Sequence, residues 1–233
     1  MTGAGHYAIL LTTMFRAPRT PILAPILALA LGACSTTRLA VDPTVILSTR
    51  GGQELGVSTD YGVVFLGHTA KAGDVDIAAW FGDGPNIESS VIEPVGGGIY
   101  TAEPDIRLPR VPLSFLEPAD GAEVVVQGRD VSGSWRLKAR VVRRPDVEGL
   151  LLEVPPELAG PTDQTGAGVY VYDERRELRL LGLLSGRLTL ADARGATQSE
   201  YLTVVGPTSL WRLVSFRRDQ NLVERMPYRD DLR

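Results

Sequence analysis

The sequence predicts an all-β fold. Most of the chain after residue 43 consists of short apolar runs that are separated by glycine, proline or aspartate. Several runs alternate apolar and polar side chains, as in Trp135-Arg136-Leu137-Lys138, which is the pattern of a strand with one buried face. Many short strands with loops of this kind favour a β-sandwich or a β-barrel.

Eight strands are predicted from these runs. They are Thr44–Leu47, Gly62–Leu66, Val75–Phe81, Glu123–Gln127, Ser134–Val142, Leu150–Val154, Val169–Tyr172 and Leu178–Leu184. Glycines 96–98 and the stretch 109–118 are predicted to be connections. If the chain forms two barrels, the loop Glu117–Gly121 is the predicted boundary between them. The three scattered tryptophans are predicted to pack in the core. They are Trp80, Trp135 and Trp211.

One short helix is predicted near the end of the chain, at residues 207–216. Leu210, Leu213 and Val214 recur there at helical spacing, and a proline stands near the predicted start. The remaining residues, 218–233, are predicted to form a polar C-terminal tail.

The first 33 residues have the layout of a secretory signal peptide. Arg16 and Arg19 precede an apolar run over residues 21–30, and small residues follow it. Two prolines interrupt the run, which is shorter than the roughly 20 residues of a membrane-spanning helix. The residues Leu31-Gly32-Ala33-Cys34 then resemble the lipobox of bacterial lipoproteins, in which the thiol is acylated and the cysteine becomes the first mature residue.

The lipobox resemblance predicts a signal peptide over 1–33, lipidation of Cys34 and a tether over 34–43. The protein would then work at a membrane outside the cytoplasm, because two or more acyl chains anchor a protein stably. In lipoproteins an aspartate after the cysteine tends to retain the protein at the inner membrane, so Ser35 favours the periplasmic face of the outer membrane. A free or buried cysteine after an ordinary signal peptide is the alternative, and Met14 is an alternative start.

Composition excludes several classes of function. The chain has 24 basic and 28 acidic residues and no basic run, so nucleic acid is a poor candidate partner. Cys34 is the sole cysteine, and His6 and His68 are the only histidines. The mature chain therefore has no disulfide, no cysteine nucleophile and no zinc site of histidine and cysteine ligands. No metal and no cofactor are expected. Acid–base chemistry near neutral pH must use His68 or a carboxylate with a shifted pKa.

Three motifs occur in an order that is typical of nucleophilic catalysis. The apolar strand Gly62–Leu66 leads to His68, Asp105 opens a run of Ile, Arg and Leu, and Thr165 lies in a glycine-rich stretch. This order, with the later stretch 181–186, resembles the trypsin-like, chymotrypsin-fold serine peptidases.

The peptidase resemblance implies two six-stranded β-barrels with a short C-terminal helix over residues 44–217. It implies His68 as the base, Asp105 as the carboxylate that orients the imidazole, and Thr165 as the nucleophile. A single β-sandwich or barrel is the alternative fold.

The resemblance also implies an oxyanion hole and a strand that pairs with the substrate backbone. Asp163 and Thr165 occupy the oxyanion-hole position, and Ser185 and Gly186 occupy the substrate strand. Other residues remain candidates for the acid and the hydroxyl. They are Asp74 and Asp76 for the acid, and Thr162 and Ser185 for the hydroxyl.

Departures from the family pattern predict weak or absent catalysis. Thr165 replaces serine and adds a methyl group with a restricted χ1 where substrate must approach. Asp163 stands where the family has glycine, and its carboxylate would repel a developing oxyanion. The run Phe65-Leu66-Gly67-His68 replaces the Thr-Ala-Ala-His of the family.

The leading hypothesis is a membrane-anchored envelope lipoprotein whose degenerate peptidase fold binds an envelope protein or peptide. One alternative is an active serine-type endopeptidase that uses Thr165, His68 and Asp105. The other is a structural envelope lipoprotein unrelated to peptidases.

Overall fold

The computed structural model describes residues 42–81, 84–130, 132–155, 165–191 and 198–225. Several predictions fall outside these ranges. They are the signal peptide over 1–33, the lipidation of Cys34, most of the tether over 34–43, the roles of Thr162 and Asp163, and the last residues of the tail. Within the described ranges no helix is both long and apolar enough to cross a membrane.

The first half of the described chain closes into an antiparallel six-stranded barrel. Its strands are β1 Thr44–Thr49, β2 Gly52–Thr59, β3 Gly62–Phe65, β4 Asp74–Phe81, β5 Gly84–Gly96 and β6 Ile99–Ala102. They are joined in the order β1-β2-β3-β6-β5-β4. Apolar side chains from alternate positions fill the barrel. They include Val45, Leu47, Phe65, Ile77 and Ala102.

The second half closes into a barrel of the same kind. Its strands are β7 Glu123–Asp130, β8 Gly133–Val142, β9 Leu150–Glu153, β10 Gly168–Tyr172, β11 Leu178–Ala191 and β12 Gln198–Val205. The order is β10-β11-β12-β9-β8-β7. Helix α1, Pro207–Arg225, follows the last strand. The barrel is filled mainly by aliphatic side chains. They include Val126, Leu152, Val169, Leu181 and Leu202.

A third apolar cluster joins the two barrels and the helix. Val57 and Val64 of the first barrel pack there with Tyr170 and Leu183 of the second. Helix α1 adds two fully buried leucines, Leu210 and Leu213.

The predicted all-β fold with two six-stranded barrels and one helix is confirmed, and the loop 117–121 lies between β6 and β7 as predicted. The helix is longer than the predicted 207–216, and it includes residues 218–225, which were predicted to belong to the polar tail. Polar contacts hold that part: Arg217 and Gln220 both bond to Glu93 of β5. The helix was predicted from the spacing of apolar residues, which gives no information on polar contacts of this kind.

Candidate active site

A cleft of about 640 Å³ contains two of the three predicted catalytic residues, His68 and Thr165. His68 comes from the segment after β3 of the first barrel, and Thr165 from the segment before β10 of the second. Residues of both barrels line the rest of the cleft. They are Ile46, Gln53, Glu54, Leu55, Thr69, Trp80, Arg129, Asp130, Ser132 and Gly133.

Thr165 is positioned by the glycine that follows it. Gly166 has a φ of +86°, and a side chain there would collide with the backbone of Leu55 in β2. Its N–H donates to the carbonyl of Leu184 in β11 (2.8 Å), and the N–H of Leu184 donates to the carbonyl of Ala167 (2.9 Å). The Thr165 turn is therefore wedged between the two barrels at a place where only glycine fits.

His68 is positioned by a buried carboxylate that the sequence analysis did not single out. Glu54 of β2 pairs with Leu47 of β1, so its side chain points into the first barrel, where the residue is only 7% exposed. One carboxylate oxygen accepts the backbone N–H of His68 (2.7 Å), and the other accepts that of Ala70 (3.2 Å). Glu54 thus fixes the backbone of the His68 segment from inside the barrel.

The electrostatics of Glu54 reflect both its burial and its partners. Burial raises the pKa of the Glu54 carboxyl above its ordinary value of 4.5. The backbone hydrogen bonds from His68 and Ala70 and the charge of the His68 imidazole oppose this rise and do not cancel it. Both carboxylate oxygens accept backbone N–H groups of this segment, so Glu54 holds the segment in place.

The structure does not bring Asp105 to His68. In the antiparallel pair of β3 and β6, Val63 lies opposite Ala102 and Phe65 lies opposite Tyr100. The chain therefore leaves β3 toward His68 at one end of the pair and leaves β6 toward Asp105 at the other end. This placement contradicts the expectation that Asp105 orients the imidazole.

The local structure explains why the prediction for Asp105 was wrong. The run of Ile, Arg and Leu that Asp105 opens is not part of a strand, because β6 ends before it, at Ala102. The residue is exposed, and its backbone N–H donates to the carboxylate of Glu88 on β5 (3.0 Å). Strand β6 itself was missed because it is four residues long and follows directly on three glycines.

The alternative acids and one alternative hydroxyl also lie elsewhere. Asp74 and Asp76 are exposed on β4, alternating with the buried Val75 and Ile77, and neither lines the cleft. The hydroxyl of Ser185 shares a hydrogen bond with that of Thr203 on β12 (2.9 Å).

The predicted substrate strand lies at an irregular point of β11. The register of β11 with β12 shifts between Leu184 and Gly186. Leu184, whose backbone is hydrogen-bonded to Gly166 and Ala167, directly precedes Ser185 and Gly186. The role of these two residues in substrate pairing stays a prediction.

A cation fixed on an aromatic ring forms another wall of the cleft. The guanidinium of Arg129 lies 4.2 Å from the ring centroid of Trp80. One of its nitrogens donates to Asp42 (2.7 Å) and to the hydroxyl of Ser134 (2.7 Å). Burial raises the pKa of Asp42, but the hydrogen bonds from Ser134 and Arg129 outweigh this and hold the pKa below its ordinary value of 3.8.

The sequence contains weak signals for Glu54 and Arg129, neither of which was predicted to belong to the site. Glu54 is the single charged residue in the run 52–59, which is otherwise a plausible strand. Arg129 follows an apolar run and Gly128. Neither signal indicates which face of a strand the charge occupies, and that depends on the register.

Comparison with known proteins gave matches among solved structures alone. No protein-family model and no curated protein sequence matches the chain. The serine protease of a human pathogenic astrovirus matches with a TM-score of 0.50 and 16% identity, over 72% of this chain and 94% of that one. The chain has the chymotrypsin-like fold.

Two further solved structures are similar over comparable lengths. A mutant of the tobacco etch virus protease has a TM-score of 0.47 and 12% identity, over 74% of this chain and 78% of that one. The inactive form of the Rv3671c protease has a TM-score of 0.46 and 19% identity, over 74% of this chain and 88% of that one. At 16% identity, the likeness to the astrovirus protease concerns the fold alone.

The cleft of this chymotrypsin-like domain presents an imidazole, a hydroxyl, an apolar wall and a fixed cation. His68 is exposed, and it is the histidine that lines the cleft. Among the described residues, no carboxylate is hydrogen-bonded to the ring of His68; Glu54 accepts the backbone N–H of this residue.

Proposed function

We propose that the chain is a membrane-anchored envelope lipoprotein whose chymotrypsin-like domain binds a protein or peptide in the cleft between its barrels without hydrolysing it. The bound segment lies across the seam of the two barrels, against Leu55 and Trp80 on one side and Thr165 on the other. The lipid on Cys34 keeps this binding site at the membrane surface.

The observation that carries the proposal is the separation of Asp105 from His68 by the register of β3 and β6. In a Ser-His-Asp triad the carboxylate holds the imidazole in the right tautomer and stabilises its cation, and its replacement by an amide costs on the order of 10⁴ in kcat. The nearest buried carboxylate, that of Glu54, binds backbone N–H groups instead. Thr165 adds a branched side chain at the position of attack.

A binding assay with a matched control tests this role. Full-length protein immobilised in detergent is exposed to a peptide library, and the retained peptides are identified by mass spectrometry. We expect intact peptides, with retention lost in Trp80→Ala and kept in Trp211→Ala, because Trp211 lies outside the cleft. Retention that is equal in both variants would refute binding in the cleft.

The proposed anchor is supported by the sequence of residues 31–34. Fractionation of cells that produce the wild type and Cys34→Ser tests it. We expect the wild type in the outer-membrane fraction with an acylated N-terminal peptide, and the variant released or left with an uncleaved leader. Unmodified wild-type protein in the soluble periplasmic fraction would remove the anchor.

An active endopeptidase is the second candidate, and the shared cleft of His68 and Thr165 favours it. It predicts turnover of casein or library peptides that disappears in both His68→Ala and Thr165→Ala. The binding role predicts no difference between the wild type and His68→Ala in such an assay. The double variant Asp163→Gly with Thr165→Ser would then be the form in which some activity emerges.

A further inference from the structure

Exposed large apolar side chains fall mainly in two areas of the described chain. Leu116 and Trp211 lie where the inter-barrel linker meets helix α1, and the 50% exposure of Trp211 contradicts the prediction that all three tryptophans pack in the core. Ile87 and Val91 lie on strand β5 and are 65% and 63% exposed. The area on β5 also adjoins an open strand edge and a groove, and these indicate what it binds.

The exposed residues of β5 share the outer face of the first barrel with two aspartates. Val91 lies opposite Asp74 of β4, and Ser89 lies opposite Asp76. The residues of β4 that alternate with these aspartates are buried in the barrel, so the aspartates and the exposed residues of β5 point outward. Neither aspartate forms an ion pair with a described residue. The face thus combines apolar side chains with unpaired negative charge.

The first part of β5 has a neighbouring strand on one side only, among the residues that the structure describes. Strand β4 pairs with residues 84–91, whereas β6, on the other side, pairs with residues 92–96. Strand β6 stops at Ala102, and Pro104 has no N–H with which to continue the ladder. The next N–H, that of Asp105, donates to the side chain of Glu88 and not to the backbone of β5.

The backbone groups on the open side belong to Ile87 and Ser89. The N–H of Ile92 donates to the carbonyl of Gly73, directly before β4 (2.9 Å). Successive residues of an antiparallel strand face opposite neighbours, so the N–H and C=O groups of Ile87 and Ser89 face away from β4. No described residue forms a backbone hydrogen bond with these groups on that side. An edge of this kind is a template for pairing with another chain.

A groove of about 650 Å³ between β5 and helix α1 lies at the end of this edge. Val91 and Phe216 contribute apolar lining. Ser90 also lines the groove, although it lies opposite Val75, whose side chain is buried in the barrel. A groove that contacts both Ser90 and Val91 reaches the backbone of β5, so the edge and the groove form one surface. We call this surface the β5 edge.

The groove has an excess of negative charge. The carboxylates of Glu93, Glu103 and Asp219 line it, and Arg217 is the basic residue among its lining residues. Arg217 is already paired with Glu93 (3.1 Å) and with Glu103 (3.3 Å). Asp219 forms no ion pair with a described residue. Charge complementarity therefore favours a positively charged occupant, both in the groove and beside the two aspartates of β4.

We infer that the β5 edge docks an extended, basic segment of a partner protein, which adds a strand beside Ile87 and Ser89. Main-chain hydrogen bonds to the open backbone groups hold the added strand, and its alternate side chains contact the exposed residues of β5. Because Ser89 is small, a lysine or arginine opposite it extends across it toward Asp76, two strand spacings or about 10 Å away. A basic side chain nearer the end of the segment enters the groove beside Asp219.

The charge of this face disfavours a second copy of the chain as the occupant. Pairing of two β5 edges would bring the unpaired aspartates and the acidic grooves of both copies together, in a chain whose net charge is −4. A basic partner removes this repulsion.

The docking surface runs away from the cleft. Pro85 lies opposite Trp80, which lines the cleft, whereas Val91 lies six residues, or about 20 Å, further along β5. Docking at the β5 edge is therefore independent of the binding proposed for the cleft, and Trp80→Ala should not affect it.

The test measures binding of a short fluorescent peptide to the full-length protein in detergent, by fluorescence anisotropy. Every second residue of the peptide is serine, and the others are valine and lysine in turn. We expect saturable binding that is lost when glutamate replaces lysine, and that weakens in 1 M salt, where the Debye length is about 3 Å. An added strand turns only alternate N–H groups toward β5. Of two peptides that are N-methylated on alternate residues, one should therefore lose binding and the other keep it.

Variants of the protein locate the binding. Asp76→Lys with Asp219→Lys should weaken it by about tenfold, because both carboxylates are exposed and unpaired. Glu148→Lys with Glu153→Lys is the matched control, since it makes the same change of charge at exposed positions of the second barrel and should leave binding unchanged. Ser89→Pro should abolish binding and keep the fold, because proline is tolerated where the N–H of an edge strand faces solvent.

Three results would overturn the inference. Equal binding by the two charge-reversed proteins would show that the acids of the β5 edge do not select the partner, and equal binding by both N-methylated peptides would exclude an added strand. A concentration-dependent dimer that Ser89→Pro abolishes would show that a second copy covers the edge. The N-methylated peptides decide the mode of docking even if Ser89→Pro does not fold.

Discussion

Glu54→Ala should destabilise the domain and release the segment that carries His68. The carboxylate of Glu54 accepts two backbone N–H groups from this segment, and the substitution removes both acceptors. The N–H of Ala70 lies in a buried residue, where water does not replace the lost partner, while His68 is exposed.

The magnitude follows from the two donors. A buried backbone N–H left without an acceptor costs about 1–3 kcal/mol, and one that water can reach costs less. Removal of a buried carboxylate gives back part of its desolvation cost. The free energy of unfolding should therefore fall by about 1–3 kcal/mol.

Denaturant unfolding of the wild type, Glu54→Ala and Glu123→Ala measures this effect. Glu123 is the control, because it pairs with Lys138 at the surface, where both side chains are more than half exposed. Hydrogen exchange at Ala70 should accelerate in Glu54→Ala alone. Equal stability of the three proteins, with unchanged exchange at Ala70, would refute the account of how His68 is held.

The pH dependence of Glu54 follows from its raised pKa. The native state keeps the proton to a higher pH than the unfolded chain, so stability falls as the pH rises from the ordinary value of 4.5 through the native pKa. The wild type should therefore gain stability relative to Glu54→Gln when the pH is lowered through this window. A difference that is constant with pH, measured by the same unfolding titrations, would contradict the raised pKa.

Three further substitutions test the site and its supports. Arg129→Ala leaves the half-buried carboxylate of Asp42 without its cation and should lower the free energy of unfolding by about 3 kcal/mol in denaturant titrations. The stability that the lowered pKa of Asp42 contributes is present above pH 3.8 and is lost as the pH falls below this value. If the stability of Arg129→Ala depends on acid pH as that of the wild type does, the Asp42–Arg129 ion pair is contradicted. Gly67→Ala should destabilise the domain by about 2–4 kcal/mol, because φ is +64° and the ring of Tyr100 fills the space that a Cβ atom would need. Gly73→Ala is the control and should cost about 1–2 kcal/mol, because φ is +82° but the space around a Cβ atom is open. Equal shifts of the melting temperature in the two variants would contradict the clash with Tyr100. Asp105→Ala should leave peptide retention by the cleft unchanged, and a loss of retention would bring Asp105 back into the site.

The fold could be predicted further than the site because alternation along a strand is local. Runs such as 134–142 and 169–172 keep one apolar face, so their strands were found. Strand β5 escaped because it carries Pro85 and Pro94 and polar side chains on both faces. Strand β2 escaped because its glycines and Glu54 interrupt the alternation, although Gly56 is the residue that leaves room for Leu47.

The site depends on register and closure, which a motif does not encode. Histidine at the end of a strand and threonine before a glycine are local features, and the structure brings both to one cleft. A carboxylate can orient the imidazole of His68 only if it lies at the same end of the β3–β6 pair as His68. Strand β6 was not predicted, and without it the sequence did not reveal that Asp105 follows β6 and therefore lies at the opposite end of the β3–β6 pair from His68. Glu54 pairs with Leu47 in the β1–β2 hairpin, and closure of the barrel makes the face that they share its interior.

The most direct test of the central claim is the composition of a peptide library after prolonged incubation with the full-length wild type, read by mass spectrometry. A binding domain without catalysis predicts that peptides are retained intact and that no new termini appear above the level in His68→Ala. New peptide termini that form with the wild type and vanish in both His68→Ala and Thr165→Ala would contradict the account and establish an active endopeptidase.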